Sequence, residues 1–309
     1  MKEKPFSKYQ ILANAVMIIW TLAIILPFIL LFMSSITDEN TLVANGYSFF
    51  PKKFSLASYS YIIKSGGQIL KAYGVSIGVT VVGTLLNVLL SALMAYPLSV
   101  KNLPGRNVMM FFVFFTMLFN GGIVPSYIMW TGTFHIKDTI FAQLLPNFLL
   151  SAWNVMMIRT YFTTSIPDGL YEAAEIDGAS QFTIFWKIVL PLGKPILVTM
   201  GTFAGLAYWN DWTNGLYYIV KNTGLYNVQN LLNQMVQNIQ FLTQSSNSNV
   251  TAAASTIPAT GIQMAIAFVA ILPIMLIFPS FQKYYAKGIA LGACLLYTSP
   301  SPRDRSLSR

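Results

Sequence analysis

The sequence predicts an all-α membrane protein with six transmembrane helices, on three observations. Of its 309 residues, 55% are hydrophobic and only 9% charged, with a mean hydropathy of +0.58; a soluble domain carries about a quarter charged residues. Six stretches are apolar enough, at about 20 residues each, to cross a bilayer core. Lys and Arg fall in ones and twos between those stretches although the formal charge is +9, which is the pattern of loops at a membrane surface. With no basic face to meet phosphates, nucleic acid is excluded as a partner and the lipid bilayer is the expected surrounding.

The spans are expected at about 11–33, 73–97, 107–128, 139–161, 195–213 and 259–281. The first follows the basic head MKEKPFSK. It is too long for a signal-peptide core and no small-residue cleavage site follows, so it is expected to stay as a helix. The second and third are separated by KNLPGRN (101–107), where Pro104-Gly105 breaks any helix. The third carries Asn120, Gly121-Gly122 and Pro125, which loosen a helix and free backbone groups to line a cavity. The fourth carries Gln143, Asn147, Trp153 and Asn154, and the fifth ends in Tyr208, Trp209, Asn210, Asp211 and Trp212.

The connections 34–72 and 214–258 are long, polar and rich in Asn, Gln and Ser. Residues 55–73 alternate at helical spacing and are expected to lie flat at the interface. An even number of spans puts both termini on one side. Ten basic residues (Lys2, Lys4, Lys8, Lys101, Arg106, Arg159, Lys187, Lys194, Lys283 and Lys287) against six (Lys52, Lys53, Lys64, Lys71, Lys137 and Lys221) make that side the cytoplasm. Cys294 stands alone, so no disulfide or cysteine metal site forms within the chain. His135 has no second histidine nearby, and no metal is expected. From Cys294 the composition turns to Ser, Pro and Arg, and 294–309 reads as a non-native, disordered tail beyond a single domain of residues 1–293.

Three carboxylates interrupt this apolar chain in YEAAEIDGASQFTIFWKIVLP (171–191), within an expected cytoplasmic loop of residues 163–193. Pro167 suits a first helical turn, and Asp168, Glu172 and Glu175 lie where the helix dipole favours negative charge. Gly178 stops that helix in the left-handed conformation, and Ser180 caps the next. Phe182, Phe185, Trp186, Val189 and Leu190 then form one apolar face until Pro191. Two short helices joined at a glycine elbow are expected. An ordinary inner loop padding the membrane surface fits the same pattern; a DNA-binding helix pair does not, because its first helix is acidic.

Glu172-Ala173-Ala174, then Gly178, Ile188 and Leu190-Pro191 at their spacing, resemble the EAA loop of the permease subunits of binding-protein-dependent ABC importers. Over about residues 10–293 the chain is similar to the carbohydrate branch, of the maltose-type second permease and lipo-oligosaccharide/aldouronate kind. NGGIVPSYI (120–128), WNVMMIRTYF (153–162) and YWNDWTNGLYYI (208–219) carry that likeness. The resemblance implies a type I ABC importer permease fold. It also implies a loop that docks into a cytoplasmic ATPase through Glu172, Ala173, Ala174, Asp177, Gly178, Ile188, Leu190 and Pro191. Two ABC ATPase subunits, a homologous second permease and an extracellular or periplasmic sugar-binding protein are the implied partners. The small pair Ala173-Ala174 allows close approach, and Glu172 offers a carboxylate to a basic residue. The sequence holds no phosphate loop ending in Lys-Ser or Lys-Thr, so ATP is expected on the partner ATPase, with no cofactor on this chain and no catalysis by it.

For the substrate path, Asn120, Asn147, Trp153, Asn154, Trp209, Asn210 and Asp211 combine aromatic faces with amides and a carboxylate, as a sugar ring requires. Interfacial anchoring by Trp and helix-to-helix bonding by Asn are the competing readings. In the maltose-type family the partner permease can hold most of the sugar contacts. Arg159 is expected to snorkel to lipid phosphates. A non-sugar solute and an ion-coupled secondary transporter are the alternatives; the latter needs carboxylates at mid-bilayer, where none is found.

Overall fold

The structure is a computed structural model that describes residues 8–64, 66–244 and 259–294. Among the described residues its regular elements are helices, apart from one isolated antiparallel bridge between Thr37 and Phe54. The helices are α1 (Lys8–Ser35), α2 (Glu39–Asn45), α3 (Ala57–Lys64), α4 (Gly66–Ser99), α5 (Arg106–Leu118), α6 (Ile123–Ile128), α7 (Phe141–Leu144), α8 (Ala152–Ser165), α9 (Asp168–Ile176), α10 (Gln181–Ile184), α11 (Leu190–Leu192), α12 (Lys194–Asn210), α13 (Thr213–Tyr218), α14 (Val228–Gln244) and α15 (Ala259–Cys294). The non-native tail expected from 294 lies outside the described residues from 295 onward.

Three of the expected spans are unbroken apolar helices among the described residues: Tyr9–Ser35, Gly67–Ser99 and Thr260–Ile277. Two of the others are interrupted, each for a local reason, and the fifth is the 17-residue helix α12. The expected span 107–128 bends by 110° between α5 and Ile123–Thr133. There the Asn120 Oδ1 accepts the Gly122 N–H at 2.8 Å, and Gly122 sits at φ 89°. The span 139–161 is split into α7 and α8, because Pro146 has no N–H to donate and Asn147 is left-handed at φ 68°. The fifth span is α12, set at 78° to the preceding Gln181–Leu192. The connection 214–258 contains a long helix: apolar residues at 228, 231, 232 and 235 recur at helical spacing and build α14.

The described residues form two compact units, those within 1–70 and 231–275 and those within 71–230 and 276–309. In the first, α1 is apolar all round, as a spanning helix is. Its end is tied by Ser35 Oγ to the Tyr59 hydroxyl at 2.7 Å and by Phe32 to Phe268, 4.9 Å between ring centres. The Glu39 carboxylate accepts the N–H groups of Thr260 and Gly261, both at 2.8 Å, which satisfies the first turn of α15.

In the second unit α4 and α12 approach closely because Gly83 lacks a side chain; a Cβ there would lie 2.5 Å from the Tyr208 ring. That ring is held by its hydroxyl, which donates to the Leu144 carbonyl at 2.9 Å. The main core gathers Ala92, Ala95 and Tyr96 of α4, Val155, Ile158 and Phe162 of α8, and Met200 of α12.

Asp138 clasps two connections together. At φ 58° its carboxylate accepts the N–H groups of Val220 and Lys221, both at 2.7 Å, and of Asn222 at 3.3 Å. The backbone donor of Lys221, then those of Val220 and Asn222, hold its carboxyl below the usual carboxylate range. A depressed folded pKa means the clasp is fully formed above the unfolded value, about 3.9, and lost as pH falls through the lower folded one. Hydrogen-exchange protection at Val220 and Lys221, corrected for intrinsic rates, is therefore expected to hold at neutral pH and to collapse only in strong acid. Asp138→Ala is expected to remove it at every pH.

Candidate functional site

Residues 163–193 fold as the two-helix elbow that the sequence predicts. After Pro167 at φ −62° and ψ 136°, α9 begins at Asp168, one residue later than a proline inside the first turn would place it. Its end is a Schellman closure: the Ala179 N–H donates to the Ala174 carbonyl at 2.9 Å and the Gly178 N–H to that of Glu175 at 3.0 Å. Gly178 takes φ 74°, the left-handed value expected of it. Ser180 then caps α10, its Oγ accepting the Thr183 N–H at 3.3 Å.

One side of the elbow is fused to the helix bundle. Ala174, Ile184, Phe185 and Val189 are buried in the main core, with Ile188 and Leu190 packed against it. Tyr96 of α4 organises the contact: its ring stacks on Tyr171 at 6.4 Å and packs on Phe185 at 5.4 Å, and its hydroxyl donates to Gln181 Oε1 at 2.5 Å. Burial, with Tyr96 alongside, pushes the Tyr171 phenol up to about 12, so it stays neutral at physiological pH. Lys101, in the turn after α4, pairs with Asp168. The opposite side is open. Glu172, Ala173, Ile176, Asp177 and Gly178 are exposed, Ile176 by 86%, and Glu172 has no hydrogen bond or ion pair among the described residues.

Two expectations are corrected here. Ala174 is the buried face of α9 and approaches its own chain, not a partner; Ala173 alone of that pair is exposed. The apolar face after Ser180 is Ile184, Phe185 and Val189, while Phe182 and Trp186 point outward. A π-type turn spans Phe185–Val189, but Phe182 and Ile184 differ in burial before it begins. Tyr96, Lys101, Tyr171 and Gln181 were missed. Tyr171 and Ala174 stand at i, i+3, which was the available signal for α9; nothing in the sequence pairs it with Tyr96.

Of the expected path residues, Asn147 and Asp211 meet at Asn214, and Asn120, Trp153 and Asn154 lie apart from them. Asn120 closes the turn before α6, and Asn147 is exposed with its Nδ2 on Asn214 Oδ1 at 3.2 Å. Asn154 is buried and bonds to Asn87 Oδ1 at 2.7 Å, and Asn87 bonds on to the Phe148 carbonyl at 2.6 Å; this is helix-to-helix bonding. Trp209 is buried beside Tyr73, 6.3 Å between rings, whereas Trp153 and Asn210 are exposed. Asp211 is buried, its Oδ1 accepting the Thr213 N–H at 3.0 Å, the Thr213 hydroxyl at 2.7 Å and the Asn214 N–H at 3.3 Å. A groove of about 470 Å³ runs along α4 from Lys71 to Val82, facing Ile140, Leu144 and Gly224; none of the path residues lines it.

A family model described as binding-protein-dependent transport system inner membrane component matches residues 6–291. The chain belongs to this family. As a member of the binding-protein-dependent transport family it is a multi-pass membrane permease, and the exposed elbow lies within the matched region. Protein LplC of Bacillus subtilis (strain 168) is 36% identical over 87% of this chain and 88% of its own. The polygalacturonan/rhamnogalacturonan transport system permease protein YtcP of the same organism is 35% identical over 92% and 97%. A crystal structure of a bacterial ABC transporter involved in the import of the acidic polysaccharide alginate superposes with a TM-score of 0.75 at 26% identity, covering 92% of this chain and all of the matched one.

Proposed function

We propose that this chain is the permease subunit of an ATP-driven, binding-protein-dependent importer of oligosaccharides or related carbohydrates. The carbohydrate reading rests on relatives named for polygalacturonan and rhamnogalacturonan transport and on a structural neighbour involved in alginate import. The coupling reading rests on one observation, the two-sidedness of the elbow. Tyr171, Ala174 and Phe185 fix it to α4 and α8, and its free side presents an unpaired Glu172 carboxylate beside small Ala173. A push on that free side reaches the helices through packed side chains.

In this reading the elbow is cytoplasmic and sits on one of two ATPase subunits, which bind the ATP. The chain pairs with a homologous second permease and receives its solute from an extracellular or periplasmic binding protein. It makes and breaks no covalent bond itself. Both termini face the cytoplasm. The Lys101–Asp168 pair supports that layout, because it joins two segments assigned by basic-residue counting to one side. The Asp138 clasp likewise joins two segments assigned to the other.

In cells, uptake of the carbohydrate is expected to require both ATP and the binding protein, and to continue when an uncoupler collapses the proton gradient at constant ATP. Immediate loss of uptake under that uncoupler would replace this reading with ion-coupled transport.

A further inference from the structure

Residues 46–56, GYSFFPKKFSL, leave α2 and return to the end of α1. The return is fixed by backbone bonds. The Asp38 N–H donates to the Lys53 carbonyl at 3.0 Å, and the Ser55 N–H to that of Ile36 at 2.9 Å. Thr37 and Phe54 bridge between them, and Lys53 Nζ lies 3.3 Å from Asp38 Oδ2. Because α1 is apolar from Tyr9 to Ser35, these tethers hold the loop at the level where that span leaves the hydrocarbon.

The loop nevertheless keeps its large side chains outside. Tyr47, Phe50, Phe54 and Leu56 are exposed, Phe50 by 86%. No Asp or Glu occurs from 40 to 56, and Lys52 is exposed among these aromatics. Aromatic rings beside a lysine with no ion pair among the described residues, on a loop tethered at Lys53 and Ser55 to the mouth of a span, match the chemistry of a headgroup layer, which takes rings at its apolar edge and cations at its phosphates.

We propose that residues 46–56 are a membrane anchor. Phe50 and Phe54 enter the headgroup boundary at the C-terminal end of α1, and Lys52 meets anionic phospholipid headgroups. The occupant is lipid because the tethers make the loop continuous with α1, an apolar span from Tyr9 to Ser35. Anionic lipid is specified by Lys52, which unlike Lys53 has no carboxylate partner among the described residues.

Cys294 is the only cysteine, so Cys294→Ser with Phe50→Cys gives the full-length chain a single nitroxide site. Vesicles of phosphatidylcholine alone and of phosphatidylcholine with phosphatidylglycerol are the probes. Oxygen is expected to relax the label more strongly than a water-soluble nickel chelate, at a depth of about 5–10 Å into the headgroup boundary. The label is expected to sit deeper with phosphatidylglycerol, and adding Lys52→Glu is expected to erase that difference while phosphatidylcholine readings stay unchanged. Stronger relaxation by the nickel chelate in both lipids overturns the anchor, since the loop then lies in water. Protection from both reagents overturns it too, because protein, a sister subunit or a second copy, then covers the loop. Equal depth in the two lipids overturns the contact between Lys52 and the headgroups.

Discussion

Gly178→Val is expected to reach the membrane at the wild-type level and to abolish carbohydrate uptake. At φ 74° the position lies where a β-branched residue is strained by about 1–3 kcal/mol. An added Cβ would meet nothing within 4 Å, so the penalty comes from the backbone and not from a clash. That distinction gives the control. Gly178→Asn, which tolerates the left-handed region, is expected to transport near the wild-type level. In the valine variant the Schellman bonds of Ala179 and Gly178 must loosen or re-aim, and with them the angle between α9 and α10. The apolar spans that direct insertion are untouched. Glu172→Lys is expected to fail similarly by presenting the wrong charge to the ATPase, with partial rescue by an opposite reversal there. Membrane level, ATPase co-purification and uptake are measured together for all three. Wild-type uptake in both Gly178→Val and Glu172→Lys would remove the coupling role, and loss of protein from the membrane would make the elbow a folding element.

The elbow was legible because its signals are local. A glycine one position past a helix end and a serine before the next helix each act within a few residues, and both took their expected roles at Gly178 and Ser180. The long spans α1, α4 and α15 were legible because hydropathy sums over about twenty residues. That same summing hid the breaks at Asn120–Gly122 and Pro146–Asn147, where the backbone turns inside an apolar stretch. The inward face after Ser180 differs from the expected one because 184, 185, 188 and 189 also recur at helical spacing, so periodicity alone does not choose between the two apolar faces. Polar residues within spans were read as lining a path, because composition cannot reveal a partner far along the chain. Asn154 meets Asn87 at 67 residues' separation, and Tyr96 meets Gln181 at 85. Both contacts exist only once α4, α8 and the elbow have packed.

Asp211 separates a structural role from a transport role most sharply, and the expected result is Asp211→Asn near wild type with Asp211→Ala lost from the membrane. Its Oδ1 satisfies two backbone N–H groups and one hydroxyl at the start of α13, and its backbone carbonyl accepts Asn227 Nδ2 at 2.5 Å. Asn214, held in that same turn, donates to the Pro146 carbonyl at 3.1 Å, so the turn ties the α7–α8 break to α12. Alanine leaves the Oδ1 donors without an acceptor in a buried site, at about 1–3 kcal/mol each. Three such losses together approach a sizeable part of the 5–15 kcal/mol that holds a domain folded. Asparagine keeps one oxygen in the Oδ1 position. It replaces Oδ2, buried with no partner among the described residues, by a neutral amide, so the turn survives and sheds an uncompensated charge. A residue on the sugar path would behave in the opposite way: asparagine would raise KM for uptake at normal protein level, and alanine would do so more strongly without loss of protein. Quantifying membrane-inserted protein, its Tm in detergent and the KM of uptake for the two variants distinguishes these outcomes.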